Sequence, residues 1–117
     1  MTVAREGRSP AGRQERATRA QSDARMDEAA ELLRALSHPV RLRIIELLSE
    51  GEFCVKRLEE LLEIPQPSVS QHLSRLRYAG LIESERRGHL VCYRLTEPRG
   101  ARILKAALGG PAGGRAS

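Results

Sequence analysis

The sequence is poor in aromatic residues, with one Phe, two Tyr and no Trp among its 117 residues. Its core must therefore consist of aliphatic side chains, and their spacing should reveal the secondary structure. No apolar run approaches the ~20 residues that a membrane-spanning helix needs. The N-terminal segment is rich in arginine and lacks the apolar centre of a secretory signal. We therefore expect a cytoplasmic protein that does not engage a membrane.

Cysteine is also scarce, since Cys54 and Cys92 are the only two in the sequence. In a reducing cytoplasm both thiols should be reduced at rest, and a permanent disulfide is not expected. The sequence shows no nucleophile with a plausible base, no phosphate-binding loop and no metal-ligand triad. We therefore predict that the protein is not an enzyme.

Acidic residues are fewer than basic ones. The sequence has 20 Lys and Arg and 15 Asp and Glu, which gives a formal net charge of +5 and a pI of about 10.0. A small basic domain most often binds nucleic acid. The alternative is that the charge serves only solubility. The positions of the charges along the chain must decide between the two.

Composition divides the chain into three parts. Residues 1–22 are rich in Arg, Gly, Ser and Gln and predict a disordered basic arm. Residues 23–108 carry the periodic apolar residues of a folded domain. Residues 109–117 are rich in Gly and Ala and predict a flexible tail.

The apolar residues of the central part recur at helical spacing and predict five helices. The first has its apolar stripe between Met26 and Leu36, with Ser22 or Asp23 as its cap. The boundaries predicted for the others are Pro39 and Gly51 for the second, Val55 and Ile64 for the third, Pro67 and Gly80 for the fourth, and Thr96 as the cap of the fifth.

After Gly80 the apolar period changes to that of strands. Residues 81–95 contain two strand-like runs around a polar turn at Arg87-Gly88. Two helices joined by a tight link and followed by a hairpin are the outline of a winged helix-turn-helix. We therefore predict a mainly α fold with a small β hairpin (α+β), and a homodimer through the apolar faces of the first and last helices.

The fourth helix carries the predicted DNA-binding surface. If Val69, Leu73 and Leu76 face the core, side chains suited to bases and phosphates lie on the opposite face. The residues of this face and its flanks are Pro67, Ser68, Ser70, Gln71, Ser74, Arg75, Arg77 and Tyr78. No Asp or Glu occurs between Ile64 and Ile82, whereas an ordinary exposed helix mixes both charges. This absence favours a surface that meets phosphate groups.

The hairpin tip supplies a second basic group, formed by Arg86, Arg87 and His89. A loop tip can reach a phosphate or the minor groove, so we predict that these residues bind DNA. An ordinary solvated turn is the alternative, since Glu83 and Glu85 lie nearby in the sequence.

Four segments together resemble the ArsR/SmtB family of dimeric winged-helix repressors: LSHPVRLRII, GEFCVKRL, PSVSQHLSRLRYAGLIE and HLVCYRL. They follow one another in the family order within residues 35–95. The resemblance implies that the helix from Gln66 to Tyr78 is the recognition helix, and that the protein blocks a promoter until an inducer binds. The positions it assigns to a double-stranded DNA operator are Gln66, Ser68, Ser70, Gln71 and Ser74.

The resemblance breaks down at the sensor. Arsenic-type members have several thiolates in a segment similar to ELCVCDLC, whereas this chain keeps Cys54 and has Lys56, Arg57 and Glu59 at the other positions. Soft ions need several thiolates, so the usual site cannot form from this segment. Zinc-type members have His and acidic ligands on the last helix, where this chain has only Glu97. The histidines share no ligand spacing and are predicted to be structural rather than metal-binding: His38, His72 and His89.

The two cysteines still point to a sensor. If EFC pairs as a strand with VCY, Cys54 and Cys92 become neighbours off the apolar face. Cys54 would also precede a helix whose first turn holds Lys56 and Arg57, which favours a thiolate. Three interpretations stay open: a redox or persulfide switch, a soft metal or metalloid ion held by cysteine with an outside ligand, and a relic of the family motif.

For the whole protein two alternatives to a sensing repressor also stay open. One is a winged helix that serves as a protein-interaction module, and the other is a DNA-binding regulator without a sensor. Apart from the soft ion, the sequence indicates no cofactor.

Overall fold

The computed structural model describes residues 10–109 and contains, within them, five helices and one three-stranded antiparallel sheet. The elements are α1 (Pro10–Leu36), α2 (Pro39–Leu48), β1 (Phe53–Cys54), α3 (Val55–Leu62), α4 (Gln66–Tyr78), β2 (Ile82–Arg87), β3 (Leu90–Leu95) and α5 (Arg99–Ala107). Within the described residues the chain divides into two units, residues 10–31 and residues 32–109. None of the helices described is both long and apolar enough to cross a membrane.

Helix α1 begins at Pro10, well before the predicted caps Ser22 and Asp23. The structure is therefore helical over residues 10–22, where the sequence predicts a disordered arm. The stretch is rich in Ala, Arg and Gln, which favour a helix without tertiary packing, and a proline is suited to a first helical turn. The rest of the predicted arm, and the predicted tail after residue 109, lie outside the described residues.

The core of the second unit is aliphatic, as the scarcity of aromatic residues predicts. It draws on every helix and on the start of β2. Its buried side chains are Leu32, Ala35, Leu36, Ile44, Ile45, Leu48, Leu58, Val69, Leu73, Leu76, Leu81, Ile82 and Leu104. This burial fixes α4 by one face and leaves its opposite face outside the core.

Local sequence sets where the chain bends around α2, α3 and α4. The backbone N–H of Val40 donates to Nδ1 of His38 over 3.1 Å, which caps α2. Helix α3 ends where Glu63 adopts the left-handed conformation, with φ of 55°. Pro65 then precedes the first residue of α4, so the two helices are joined by a short link. The predicted helix-turn-helix is confirmed.

The sheet has the strand order β1-β3-β2. Strands β2 and β3 form the predicted hairpin, whose turn contains Gly88 with φ of 67°, a conformation that favours glycine. Strand β1 adds to the other edge of β3, as the hypothetical pairing of EFC with VCY requires. The sheet and helices together form the predicted winged helix-turn-helix.

Thr96 has a different role from the predicted one. Its Oγ1 donates to the carbonyl oxygen of Gly80 over 2.6 Å, and its N–H donates to the carbonyl of Leu81 over 3.1 Å. Helix α5 begins later, at Arg99, after Pro98. The threonine therefore joins the end of β3 to the turn after α4, because that turn offers unsatisfied carbonyl groups.

Candidate DNA-binding surface and cysteine pair

Helix α4 presents two opposite faces. Val69, Leu73 and Leu76 are buried at the spacing of one helical stripe. The stripe on the other side is exposed, and it consists of Pro67, Gln71, Ser74 and Tyr78. The exposed stripe agrees with the helical-wheel prediction at these four positions.

The predicted contact residues of α4 differ in exposure. Those that are exposed are Gln66, Ser70, Gln71, Ser74 and Arg77. Ser68 and Arg75 are half-buried, and Nη1 of Arg75 is shielded from solvent. The exposed group offers hydrogen-bond donors and acceptors of the kind that read base edges in a major groove.

The end of α4 is linked to the hairpin. Nη1 of Arg77 donates to Oγ of Ser84 on β2 over 3.3 Å. Helix α4 and the wing are thereby in direct contact at the surface. A displacement of the hairpin would therefore also change the contacts of the C-terminal end of α4.

A cluster of basic side chains lies at the start of α2 and beside α4. Arg41 donates from Nη1 to Nδ1 of His72 over 3.3 Å and from Nε to the carbonyl of Ala35. The rings of His38 and His72 have centroids 4.3 Å apart. Burial, and then the charges of His38 and Arg41, lower the pKa of His72. This cluster ties α4 to the end of α1 and disfavours the protonated form of His72.

The predicted basic residues of the wing are all exposed, but they are not equivalent. Arg86 and His89 lie at the hairpin tip. Arg87 instead forms ion pairs with Glu52, before β1, and with Glu85, each over 3.1 Å. Much of its charge is therefore balanced within the protein.

Arg94 on β3 extends this network. It pairs with Glu83 over 2.7 Å and with Glu85 over 3.0 Å. The hydrogen bond from Arg94, and then that from Arg87, lower the pKa of Glu85. Sequence reasoning missed the network, although the alternation of charge in ESERR places Glu83, Glu85 and Arg87 on one face of β2.

The two cysteines are directly opposite each other in the sheet. The register pairs Cys54 of β1 with Cys92 of β3, their Cα atoms are 3.7 Å apart, and their sulfur atoms form a disulfide. The sequence predicts thiols that are reduced at rest, and this structure holds the pair in its oxidised form. Neighbouring strands place facing side chains on the same side of the sheet, and this brings together two residues distant in sequence.

The pair lies off the core face of the sheet, as predicted. The residues of the opposite face that pack against the core are Phe53, Val55, Tyr93 and Leu95, and neither cysteine belongs to that cluster. The register also places Glu85 beside Cys92. Cys92 is nevertheless buried, whereas Cys54 is half-buried.

The described residues do not fit a metal centre. Residues 10–109 contain no group of three or more His, Cys, Asp or Glu side chains placed to hold a metal ion. Nδ1 of His38 and Nδ1 of His72 both accept hydrogen bonds, and His89 lies on the wing turn. A soft ion at the cysteines would need reduced thiols and ligands from outside this part of the chain.

The helix pair, the three-stranded wing and the exposed polar face define a winged helix-turn-helix protein. The arsR family of bacterial regulatory proteins matches residues 38–84. A biofilm growth-associated repressor of Xylella fastidiosa (strain Temecula1) is 45% identical over 89 residues, which are 76% of this chain and 78% of that protein. The chain belongs to the arsR family of bacterial regulatory proteins.

Two solved structures are similar over most of the chain. The transcriptional repressor BigR from Xylella fastidiosa has a TM-score of 0.69 and 43% sequence identity, and the match covers 78% of this chain and 93% of that chain. A homodimeric winged helix-turn-helix DNA-binding domain from Mycobacterium bovis has a TM-score of 0.69 and 28% identity, covering 76% and 82%. These similarities confirm the fold.

Proposed function

We propose that the protein is a homodimeric transcriptional repressor that binds a double-stranded DNA operator through α4 and the wing. The observation that carries this proposal is the outward face of α4, which exposes Gln71 and Ser74 and has no carboxylate from Ile64 to Ile82. Phosphate contacts require such a face, and glutamine can pair with adenine. Membership of the arsR family and the similarity to named repressors support the same function.

The apolar residues left at the surface support a dimer. Leu33 on α1 is 52% exposed and Leu108, just after α5, is 67% exposed. Pairing two copies through these helices would bury both side chains. The homodimeric domain from Mycobacterium bovis supports this assembly. Two recognition helices would then meet half-sites one helical turn apart, about 34–36 Å.

The proposal includes a sensor formed by Cys54 and Cys92. The disulfide joins the residue that precedes α3 to the central strand of the wing. Forming or breaking it changes the link between the helix-turn-helix and the wing, both of which would contact DNA. A coupling of about 1–3 kcal/mol changes affinity roughly 5- to 150-fold. Redox chemistry is favoured over a bound ion because the sulfurs are bonded to each other.

The DNA-binding function is tested by replacing Gln71. We expect Gln71→Ala to weaken binding to the operator by about 1–3 kcal/mol through loss of base contacts. Binding is measured by fluorescence anisotropy at several salt concentrations, with the operator found by selection from random duplexes. Gln21→Ala, the same change on the exposed surface of α1, is the control.

Two outcomes would contradict this proposal. If Gln71→Ala and the wild type bound the operator with equal affinity, the outward face of α4 would not be the surface that recognises bases. Absence of salt-dependent DNA binding in wild type would favour a protein-interaction module.

The sensor is tested by DNA release. The reduced repressor on its operator is treated with peroxide, persulfide, arsenite, Zn²⁺ or Cd²⁺, and the cysteines are followed by mass spectrometry. We expect release by an oxidant together with the loss of two thiols. Release by a metal or arsenite without oxidation would instead favour an ion-binding site.

A further inference from the structure

The two halves of the cysteine pair differ in access to solvent. Cys92 is only 2% exposed, whereas Cys54 is half-buried. Cys92 lies on the central strand and is flanked on both sides by paired strands. Cys54 lies on the two-residue edge strand β1. Cys54 is therefore the residue of the pair that is more accessible to a solute.

The surroundings of Cys54 also favour its ionised form. Cys54 is the N-cap residue of α3, and its side chain makes no capping hydrogen bond. The first turn of α3 contains no acidic residue and holds Lys56 and Arg57. Arg57 is paired with Glu60 over 3.1 Å, so Lys56 supplies most of the added charge. A helix N-terminus with a cation nearby stabilises a thiolate.

The groups around Cys92 differ from these. Cys92 is directly paired with Glu85 on β2, whose carboxylate is held by Arg87 and Arg94. Because these two arginines balance the charge of Glu85, they give Cys92 no added cation of the kind that Lys56 provides at Cys54. Exposure and charge thus assign the two sulfurs different chemical roles.

We propose that Cys54 is the thiol that reacts with hydroperoxides and that Cys92 is the thiol that resolves the product into the disulfide. The Cys54 thiolate attacks one oxygen of the peroxide, the O–O bond breaks, and the departing oxygen takes a proton and leaves as an alcohol or water. Cys54 is then a sulfenic acid. The Cys92 sulfur attacks the Cys54 sulfur, the S–O bond breaks, and the departing hydroxide takes the Cys92 proton and leaves as water. The two thiols lose two electrons and the peroxide gains them.

The reverse step uses the same asymmetry. An external dithiol reductant attacks the more accessible sulfur, that of Cys54, and forms a mixed disulfide while Cys92 leaves as a thiolate and is protonated. The second thiol of the reductant then attacks its own mixed disulfide and releases Cys54. The reductant ends as a disulfide, and both protein thiols are restored.

This inference rests on the proposed cysteine sensor and is tested with two reduced variants. Cys92→Ser and Cys54→Ser are treated with hydrogen peroxide and a 1,3-dione that traps sulfenic acid, and the adducts are quantified by mass spectrometry. We expect Cys54 in Cys92→Ser to react roughly tenfold faster or more than Cys92 in Cys54→Ser. Equal rates, or faster reaction at Cys92, would overturn the assignment.

A second measurement uses the wild-type protein and therefore does not depend on whether either variant folds. The wild-type protein is reduced and briefly alkylated with limiting iodoacetamide, once under native conditions and once in urea. Cys54 should be alkylated first in the native protein, and the preference should disappear in urea. Preferential alkylation of Cys92 in the native protein would contradict the assigned roles.

The test separates this inference from the proposed sensor. If the reaction order is as stated but oxidation leaves operator affinity unchanged, the sensor fails and the assigned roles stand. If oxidation releases DNA but Cys92 reacts first, the sensor stands and the assigned roles fail.

Discussion

Gln71 and Arg75 lie one helical turn apart on α4, and the sequence predicts a DNA contact for each. The structure separates them, since Gln71 is exposed whereas Arg75 is half-buried with Nη1 shielded from solvent. Replacing Arg75 would therefore disturb the packing of α4 as well as any contact with DNA. Gln71 is the cleaner probe of base recognition, because its side chain can be removed without opening the core.

His72 couples the stability of α4 to pH. Its pKa is lowered by burial, then by His38 and Arg41, from an ordinary value of 6.5. The unfolded chain therefore takes up the proton more readily than the folded one. The contribution of neutral His72 to the free energy of unfolding is fully present above pH 6.5. It is lost as the pH falls from there through the lower pKa of His72 in the folded protein.

We expect His72→Asn to reduce this pH dependence. Asparagine keeps an acceptor for Arg41 but does not titrate in this range. The free energy of unfolding is measured in urea at fixed protein concentration from about pH 7.5 to about pH 5.5. A variant that loses stability as steeply as wild type would show that His72 is not the responsible group.

At the scale of elements, the wing is held to the helix-turn-helix by a very short strand. Strand β1 has two residues, and its pairing with β3 is reinforced by the disulfide and by the ion pair between Glu52 and Arg87. That ion pair does not involve the cysteine side chains. We therefore expect it to help keep Cys54 beside Cys92 in the reduced protein.

We predict that Arg87→Gln slows disulfide formation in the reduced protein by a few-fold, as expected for loss of a surface ion pair. The rate is followed by the loss of free thiols after a peroxide pulse. Arg94→Gln is the matched control, because Arg94 pairs with Glu83 and Glu85 on β2 and not with Glu52. Equal slowing in both variants would assign the effect to the hairpin as a whole.

The elements also show which features the sequence could predict. Apolar spacing located α3 and α4, and Gly88 located the hairpin, because both signals arise within a few neighbouring residues. The early start of α1 was missed because its helix depends on propensity rather than on an apolar stripe. Composition could not show that Thr96 bonds to Gly80, since that contact depends on how β3 meets the turn after α4.

The candidate site was predictable to a similar extent. The outward face of α4 followed from periodicity alone, and the adjacency of the cysteines followed from an assumed strand pairing. The half-burial of Arg75 and the ion pairs of Arg87 depend on contacts with other elements. A reducing cytoplasm predicted free thiols. The register between β1 and β3 places the two sulfur atoms within bonding distance.

At the scale of the whole molecule, the proposed function requires a dimer through α1, which carries Leu33, and through the end of α5, next to Leu108. We predict that Leu108→Asp weakens the dimer and, with it, operator affinity, because it would place a charge in the apolar interface. Association is measured by sedimentation. Leu61→Asp on α3, where the leucine is 38% exposed, is the control and should leave the dimer intact. An unchanged dimer in Leu108→Asp would place the interface elsewhere.

Redox control of operator binding is the central claim, and it is tested most directly by titrating one operator with fully reduced and fully oxidised protein. We predict that the disulfide form binds roughly 5- to 150-fold more weakly. Cys54→Ser should bind like the reduced wild type before and after oxidant. Equal affinity of the two wild-type forms, or an oxidant response that survives in Cys54→Ser, would contradict the account.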